Sequence, residues 1–154
     1  MALEHFKRTM DINVYGTFHT IRGAVEHMTR NELKNEEEQG VIINTASIAA
    51  YDGQIGQVAY SATKGAIASM TLPLARDLSS KNIRVNAIAP GLFETPMMAN
   101  MPEKALQALT ALPEYPNRLG HPSEYAQTVK FLIENRYMNG EVIRLDAATR
   151  LPPK

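Results

Sequence analysis

The chain has 154 residues, of which 44% are hydrophobic, so its length and composition fit a single domain with a packed core. Its 16 Lys and Arg residues balance 16 Asp and Glu residues, and this neutrality argues against nucleic-acid and strongly charged partners. The chain has no cysteine and only 4 histidines without metal-ligand spacing, which excludes disulfides and cysteine nucleophiles and predicts no metal site.

The first predicted element is a long amphipathic helix over residues 3–30, in which apolar side chains recur at three- and four-residue steps. Asp11 or Asn13 is expected to interrupt it and give two helices. The early acidic residues Glu4 and Asp11, without an apolar segment, argue against a secretory signal or a transit peptide at this end. Residues 31–39 are polar and predict a solvated loop.

Two strands with a helix between them come next. The β-branched, apolar run at 41–43 predicts a strand buried on both faces, and the small polar residues at 44–56 predict a loop at its carboxyl end. A second long helix is expected from about 59 to 80. A second strand is expected from 83 to 88, where a Pro-Gly pair stops it.

The remaining sequence predicts a loop at 92–101, helices at 102–112 and 122–135 and a short strand at 142–145. Each of the two helices has a proline near its first turn, where a missing N–H costs nothing. Helices that alternate with strands predict an α/β fold with a parallel sheet. We expect residues 1–154 to form one domain. No window approaches the ~18 consecutive apolar residues that a membrane span requires.

Candidate catalytic residues collect where the first strand ends, which is the edge of an open parallel sheet at which reacting groups gather. Ser47 follows that strand, and Tyr60 and Lys64 are four residues apart on one face of the next helix. An ammonium beside a phenol near a helix amino terminus favours the phenolate, which can take a proton from an alcohol while hydride leaves its carbon. Ser47 is expected to hydrogen-bond the substrate oxygen.

The Tyr-x-x-x-Lys pair alone is a weak signal, because Tyr60 is also typical of a half-buried helix tyrosine and Lys64 of a surface lysine. The neighbouring segments decide between these interpretations. In order they are GVIINTAS at 40–47, YSATK at 60–64, IRVNAIAPG at 83–91 and the Thr95-Pro96 pair. Together they resemble the short-chain dehydrogenase/reductase family. The resemblance implies a Rossmann-type doubly wound parallel sheet, here truncated, and hydride transfer with a nicotinamide cofactor.

The resemblance also implies a role for each catalytic residue. Tyr60 would be the general acid/base, and Lys64 would favour its ionised form and bind the nicotinamide ribose. Ser47 would hold the substrate. The segment DINVYG at 11–16 resembles the family's helix motif, so Asn13 would position a water in a proton relay to Lys64. A polar residue that kinks an amphipathic helix is the alternative for Asn13, and the two are compatible.

Cofactor contacts are implied for the turn after the second strand. Pro90, Gly91 and Thr95 would lie at the nicotinamide end of the cofactor, together with Tyr60 and Lys64. Backbone amides that follow such a turn can donate to a carboxamide or a pyrophosphate. An ordinary turn that ends a strand explains the Pro-Gly pair as well.

Further segments resemble the subfamily of type-2 3-hydroxyacyl-CoA dehydrogenases, which also act on hydroxysteroids; they are GQIGQ at 53–57, TLPLARD at 71–77, RLG at 118–120 and NGEVIRLD at 139–146. By this resemblance Gln54 lies near the keto or hydroxyl end of the substrate, with Gln57 close by. Loop polarity explains both glutamines equally well. The resemblance also implies NAD as cofactor, an acyl-CoA or steroid substrate and a mitochondrial location, with a cytoplasmic one as the alternative.

The first half of the family pattern does not occur in this sequence. There is no strand followed by Gly-x-x-x-Gly-x-Gly, no acidic residue to hold the adenosine ribose and no Asn-Asn-Ala-Gly motif. The strand at 41–45 is therefore expected to be an open edge that can pair with another chain. We expect a fold that is marginally stable or dependent on a partner.

Three interpretations of function remain open. The chain is the catalytic part of an NAD-dependent oxidoreductase, or a non-catalytic truncated subunit that binds full-length paralogues, or a fragment without a function of its own. The resemblance assigns the helices at 11–30 and 59–80 to the subunit interface of a tetramer. It therefore implies a homo-oligomer or co-assembly with full-length subunits.

Overall fold

Six helices pack around a three-stranded parallel sheet in a computed structural model that describes residues 2–31, 38–99 and 101–153. The strands are β1 (Gly40–Thr45), β2 (Ile83–Pro90) and β3 (Val142–Leu145). The helices are α1 (Leu3–Met10), α2 (Gly16–Met28), α3 (Val58–Asp77), α4 (Pro96–Ala99), α5 (Glu103–Thr110) and α6 (Pro122–Glu134).

The sheet has the order β1-β2-β3, and both neighbouring pairs are parallel. The register aligns Gly40 with Ile83 at one end of β1 and Val142 with Ala87 at the start of β3. β2 is almost wholly buried because it has a strand on each side and α3 packs against it. This architecture confirms the predicted truncated α/β fold. Within the described residues β1 is an edge strand, as the sequence predicted.

The first helical stretch runs without a break from α1 into α2 through a π-helical segment, Asp11–Tyr15. Asp11 and Asn13 lie in this segment, so the predicted interruption takes the form of a widened turn and not of a loop. One extra residue in a helical turn is a local bulge that proteins often place at functional sites. α2 then packs on β1 and α3 through the buried side chain of Ile21.

α3 is a helix with one buried stripe. The buried residues are spaced four apart and are Ala59, Thr63, Ile67, Thr71 and Ala75, a spacing that places them on one face. The two threonines satisfy their hydroxyl groups within the helix, at the carbonyl oxygens of Tyr60 (2.7 Å) and Ile67 (3.0 Å). The stripe fixes the rotation of α3 on the sheet and thereby the direction of the residues beside it.

Three local differences separate the structure from the sequence prediction. The loop predicted at 92–101 contains the one-turn helix α4, and the polar stretch after β1 contains a 3₁₀ turn, Ile48–Ala50. α5 begins one residue after Pro102, which occupies its N-cap position. Most of the loop predicted at 31–39 lies outside the described residues. Among the helices of the described ranges, none is both long and apolar enough to cross a membrane.

The start of α6 is held by a carboxylate that accepts three hydrogen bonds. Glu124 receives two from the guanidinium of Arg118, at 2.8 and 2.9 Å, and one from the backbone N–H of His121, at 2.7 Å. These bonds, led by that of Arg118, lower the pKa of Glu124 from 4.5 to about 2.

A depressed carboxylate pKa stabilises the fold above the unfolded value and loses that effect as the pH falls through the folded value. We therefore expect Glu124 to contribute to stability above pH 4.5 and to lose its contribution between pH 4.5 and about pH 2. Urea unfolding of the wild type should lose more stability over this window than unfolding of Glu124→Gln. Equal pH dependence in the two proteins would contradict the assignment.

Candidate active site

Ser47 lies two residues beyond the carboxyl end of β1 and is only 8% exposed. Its backbone is extended, and its Oγ accepts a hydrogen bond from the N–H of Ala49 at 3.1 Å, which caps the following 3₁₀ turn. Because Oγ acts as an acceptor in this bond, the hydroxyl hydrogen is left for another oxygen. The serine is thus a rigidly held donor at the edge of the sheet.

The side chains of Tyr60 and Lys64 lie close together at the start of α3. Tyr60 lies in the first turn of α3 and is 40% exposed, and the Nζ atom of Lys64 is 5.9 Å from the centre of its ring. Nζ also donates to the carbonyl oxygen of Thr45, the last residue of β1, at 2.8 Å. Burial lowers the pKa of Lys64. The lysine therefore ties α3 to the end of β1 and places a cation beside a phenol.

Asn13 contacts the helix that carries this pair. Its Nδ2 donates to Oγ1 of Thr63 at 3.2 Å, and Thr63 in turn donates to the carbonyl oxygen of Tyr60 at 2.7 Å. The carbonyl oxygen of Asn13 itself accepts from Oγ1 of Thr17 at 2.7 Å. Thr63 was not predicted from the sequence as a site residue. Its position inside the YSATK segment, on the buried face of α3, was the available signal.

Gln54 and Gln57 pair with each other. The backbone N–H of Gln54 donates to Oε1 of Gln57 at 3.1 Å, and Nε2 of Gln57 donates to Oε1 of Gln54 at 3.3 Å. Nε2 of Gln54 donates to the carbonyl oxygen of Pro152 at 3.0 Å. The structure thus brings the two glutamines together and joins them to the carboxyl-terminal segment. Their contact with a substrate remains a prediction.

The turn after β2 approaches β3 closely. The N–H of Gly91 donates to the carbonyl oxygen of Leu145 at 2.9 Å, and a Cβ placed on Gly91 would lie 2.8 Å from Cβ and 2.9 Å from Cα of Asp146. Thr95 is exposed and accepts the N–H of Met98 at the start of α4. The cofactor contacts of Pro90, Gly91 and Thr95 remain predictions, but glycine is required here by the packing itself.

Gly91→Ala is expected to destabilise the protein by about 1–3 kcal/mol, because the new methyl group overlaps Cα and Cβ of Asp146, which can move only if the backbone of that residue shifts. Gly23 in α2 is a matched control, since a Cβ there meets nothing within 4 Å. Gly23→Ala should be neutral or stabilising by about 0.5–1 kcal/mol, because alanine is the better helix former. Urea unfolding of both variants measures the difference. Equal stability of the two variants would contradict the close approach.

A groove of about 600 Å³ runs along the outer side of β1, between this strand and the helical segment formed by Asp11–Tyr15 and α2. Lys64 and Thr45 line one end of it. Asn44 also lines the groove, and its buried Nδ2 has no hydrogen-bond partner in the described part of the chain. A buried amide nitrogen without an acceptor is costly, so the groove is suited to an occupant that brings a polar acceptor.

Comparisons with known proteins show which sequences and structures this chain is similar to. A family model described as enoyl-(acyl carrier protein) reductase matches residues 1–147. The chain is 54% identical over 152 residues to the 3-hydroxyacyl-CoA dehydrogenase type-2 of Homo sapiens, covering 99% of this chain and 58% of that protein. It is 38% identical over 149 residues to a 3-oxoacyl-[acyl-carrier-protein] reductase of Thermotoga maritima, covering 95% of this chain and 57% of the reductase.

A solved structure is similar over the same extent. The crystal structure of a 3-hydroxyacyl-CoA dehydrogenase type-2 from Mycobacterium avium superposes with a TM-score of 0.95 at 44% identity, and the match covers 99% of this chain and 59% of that one. The chain therefore spans a little under three fifths of the length of the relatives that it matches.

Proposed function

Because the chain belongs to the short-chain dehydrogenase/reductase family, we propose that it carries the catalytic site of an oxidoreductase that transfers hydride between NAD and a 3-hydroxyacyl-CoA or a hydroxysteroid. One observation carries the proposal. Nζ of Lys64 lies 5.9 Å from the centre of the Tyr60 ring and donates to the carbonyl oxygen of Thr45, the last residue of β1 and two positions before Ser47. The high identity to type-2 relatives supports the substrate class.

Each of the three side chains, Ser47, Tyr60 and Lys64, has its own role in the proposed reaction. In the oxidising direction the hydroxyl of Ser47 donates to the substrate oxygen, and the phenolate of Tyr60 takes the proton of the substrate hydroxyl. Lys64 holds its ammonium 5.9 Å from the centre of this ring, and by the family resemblance it assists the proton transfer. In the reducing direction the same proton returns from Tyr60 to the oxygen. The partial exposure of Tyr60 allows a substrate to reach it.

Asn13 supports the path by which this proton reaches solvent. The widened helical turn at Asp11–Tyr15 and the bond from Asn13 to Thr63 hold the π-helical segment against α3. We propose that Asn13 positions a water between Lys64 and bulk solvent, as the family resemblance implies. Proton transfer over several ångströms requires such an intermediate carrier.

The described residues fit the ribose end of a nicotinamide cofactor. An ammonium has three donor hydrogens, and Lys64 uses one of them on Thr45, so two remain for the hydroxyl groups of a ribose. Lys64 also lines the groove beside β1, where Asn44 lacks an acceptor. When bound, the cofactor supplies the carbon that accepts or gives hydride. The choice of NAD rests on the likeness to type-2 relatives.

We further propose that the protein assembles with copies of itself or with full-length subunits. The helices that the family resemblance assigns to a subunit interface expose apolar side chains, among them Ile12, Tyr15, Phe18 and Leu72. Apolar surface of this kind, concentrated on neighbouring helices, is typical of interaction sites. By the same resemblance the protein would reside in mitochondria, and residues 1–154 would form a single partial domain.

A second candidate function uses this surface alone. In that case the chain is an inactive truncated subunit that binds full-length paralogues through its interface helices. The observation that favours it is the open edge of β1 together with the exposed helices α1–α3. Size-exclusion chromatography of the chain mixed with the human type-2 relative would reveal mixed oligomers.

Calorimetric titration of NADH into the purified chain tests whether these residues form a usable cofactor site. Saturable binding in the micromolar range is expected if the chain, alone or as a self-assembled oligomer, completes the site. A demonstrably folded sample that gives no heat would contradict cofactor binding by this chain. The inactive-subunit interpretation would then take precedence.

A further inference from the structure

Arg144 of β3 lies at the centre of a cluster of charges beside the candidate site. Its Nη2 donates to Oδ2 of Asp52 at 2.6 Å, and its Nε donates to Oδ2 of Asp146 at 2.7 Å. Nη2 also donates to the carbonyl oxygen of Thr149, and the ring of Tyr51 lies 5.3 Å from the guanidinium carbon. The side chains of Arg144 and Asp52 are only 24% and 20% exposed. Short, charge-assisted bonds at this burial are stronger than those of an exposed ion pair.

Arg144 connects the end of β3 to the segment 52–57, which we call the glutamine loop because it carries Gln54 and Gln57. The other contacts of this loop also run to the carboxyl-terminal segment. Nε2 of Gln54 donates to the carbonyl oxygen of Pro152, and the N–H of Ile55 donates to that of Pro153, both at 3.0 Å. The loop is thus held at two places, by the arginine at its start and by backbone carbonyls at its middle.

The same cluster reaches the turn after β2. Asp146, which accepts from Arg144, is the residue whose Cα and Cβ lie against Gly91. Gly91 belongs to the turn proposed to contact the cofactor, and Gln54 belongs to the loop proposed to contact the substrate. One guanidinium therefore sets the distance between these two elements, since it bonds to a carboxylate in each of the adjoining segments.

We propose that Arg144 is a positioning residue, which fixes the glutamine loop relative to the cofactor turn and so places the oxygen-bearing end of the substrate at Ser47 and Tyr60. This inference rests on the proposed function. A planar guanidinium can serve both carboxylates with a fixed fork of donors, which a lysine cannot do. Because the loop is already held in place before the substrate binds, less conformational entropy is lost on binding.

Arg150 provides a matched control. It contacts the same Asp146 at 3.4 Å and the carbonyl oxygen of Thr149, but it is 62% exposed and makes no bond to Asp52. Arg150→Met and Arg144→Met remove the same charge from the same cluster. A difference between the two variants therefore reports the link to the glutamine loop and not the loss of a positive charge.

Hydrogen exchange of the purified chain, followed by mass spectrometry, tests the positioning. In Arg144→Met the amides of Ile55 and Gln57 should exchange at least about tenfold faster, because their loop loses its anchor. Amides of β2 should be unchanged, and Arg150→Met should behave as wild type. If Arg144→Met does not fold, Asp52→Asn removes the same ion pair with an isosteric side chain. Unchanged exchange of the loop in a folded variant, or an equal effect of Arg150→Met, would overturn the proposal.

The kinetic part uses a chimera in which the chain is completed by the amino-terminal part of the human type-2 relative. With acetoacetyl-CoA as substrate, Arg144→Met should raise KM at least about tenfold while kcat changes less than about threefold. Arg144→Lys should restore part of the loss. An unchanged KM in a variant whose loop exchanges faster overturns the functional half of the proposal. A wild-type chimera without reductase activity would instead refute the proposed function, and hydrogen exchange would still decide the positioning.

Discussion

Tyr60→Phe is expected to lower kcat for reduction of acetoacetyl-CoA by about 10²–10⁴-fold, the range that general acid/base catalysis contributes. The substitution removes only the phenolic oxygen, so the ring remains in its place above Lys64. The fold should be unaffected, because Tyr60 is 40% exposed and the hydrogen bonds of α3 at this position involve its backbone. The assay uses the chimera with the amino-terminal part of the human relative.

Tyr137→Phe is the control for this variant. Tyr137 is 99% exposed and lies in the segment after α6, away from the end of β1. The same loss of a hydroxyl group should leave kcat unchanged there. If Tyr60→Phe kept full turnover, the assignment of Tyr60 as the proton donor would be wrong, whatever the result of the control.

The second large effect concerns stability and is expected at Arg84. This arginine of β2 is buried and donates to four backbone carbonyl oxygens at and after the carboxyl end of α6, at distances of 2.8–3.2 Å. It also forms an ion pair with Glu38. Carbonyl oxygens at the end of a helix have no hydrogen-bond donors within the helix. Arg84, in the central strand, donates hydrogen bonds to them. It therefore fixes α6 on the sheet.

Arg84→Met should destabilise the protein by about 3–5 kcal/mol, because it leaves a partly buried carboxylate and several carbonyl oxygens without a donor. The free energy of unfolding of a small domain is only about 5–15 kcal/mol in total. A marginally stable fold would therefore lose its cooperative unfolding transition. Urea unfolding measures the effect. Arg76→Met on the exposed side of α3 is the control and should change stability by less than about 0.5 kcal/mol. A wild-type transition in Arg84→Met would refute this role.

Much of the fold was predictable from local pattern. The strand β1 follows from a β-branched run, and the helical stretch of α1 and α2 follows from apolar residues at three- and four-residue steps. The structure contains these elements and the predicted parallel sheet. The short helix α4 was not predicted, because a Met- and Pro-containing segment of ten residues has no clear period. The widened turn at Asp11–Tyr15 also has no pattern of its own, since an amphipathic period passes through it.

Some contacts of the candidate site were likewise predictable from the sequence, and others were not. The adjacency of Tyr60 and Lys64 depends only on a four-residue spacing in a helix, and the structure places the two side chains together. The contact of Arg144 with Asp52 joins residues 92 positions apart, and that of Gln54 with Pro152 joins residues 98 positions apart. Such contacts depend on how β3 and the carboxyl-terminal segment return to the loop, which no local pattern encodes.

The most direct test of the proposed function is oxidation of NADH by the chimera upon addition of acetoacetyl-CoA, followed by absorbance at the reduced nicotinamide band. We predict turnover that depends on the ketone and that is lost in Tyr60→Phe. A folded chimera that binds NADH and acetoacetyl-CoA but transfers no hydride would contradict the claim that Ser47, Tyr60 and Lys64 form a catalytic site.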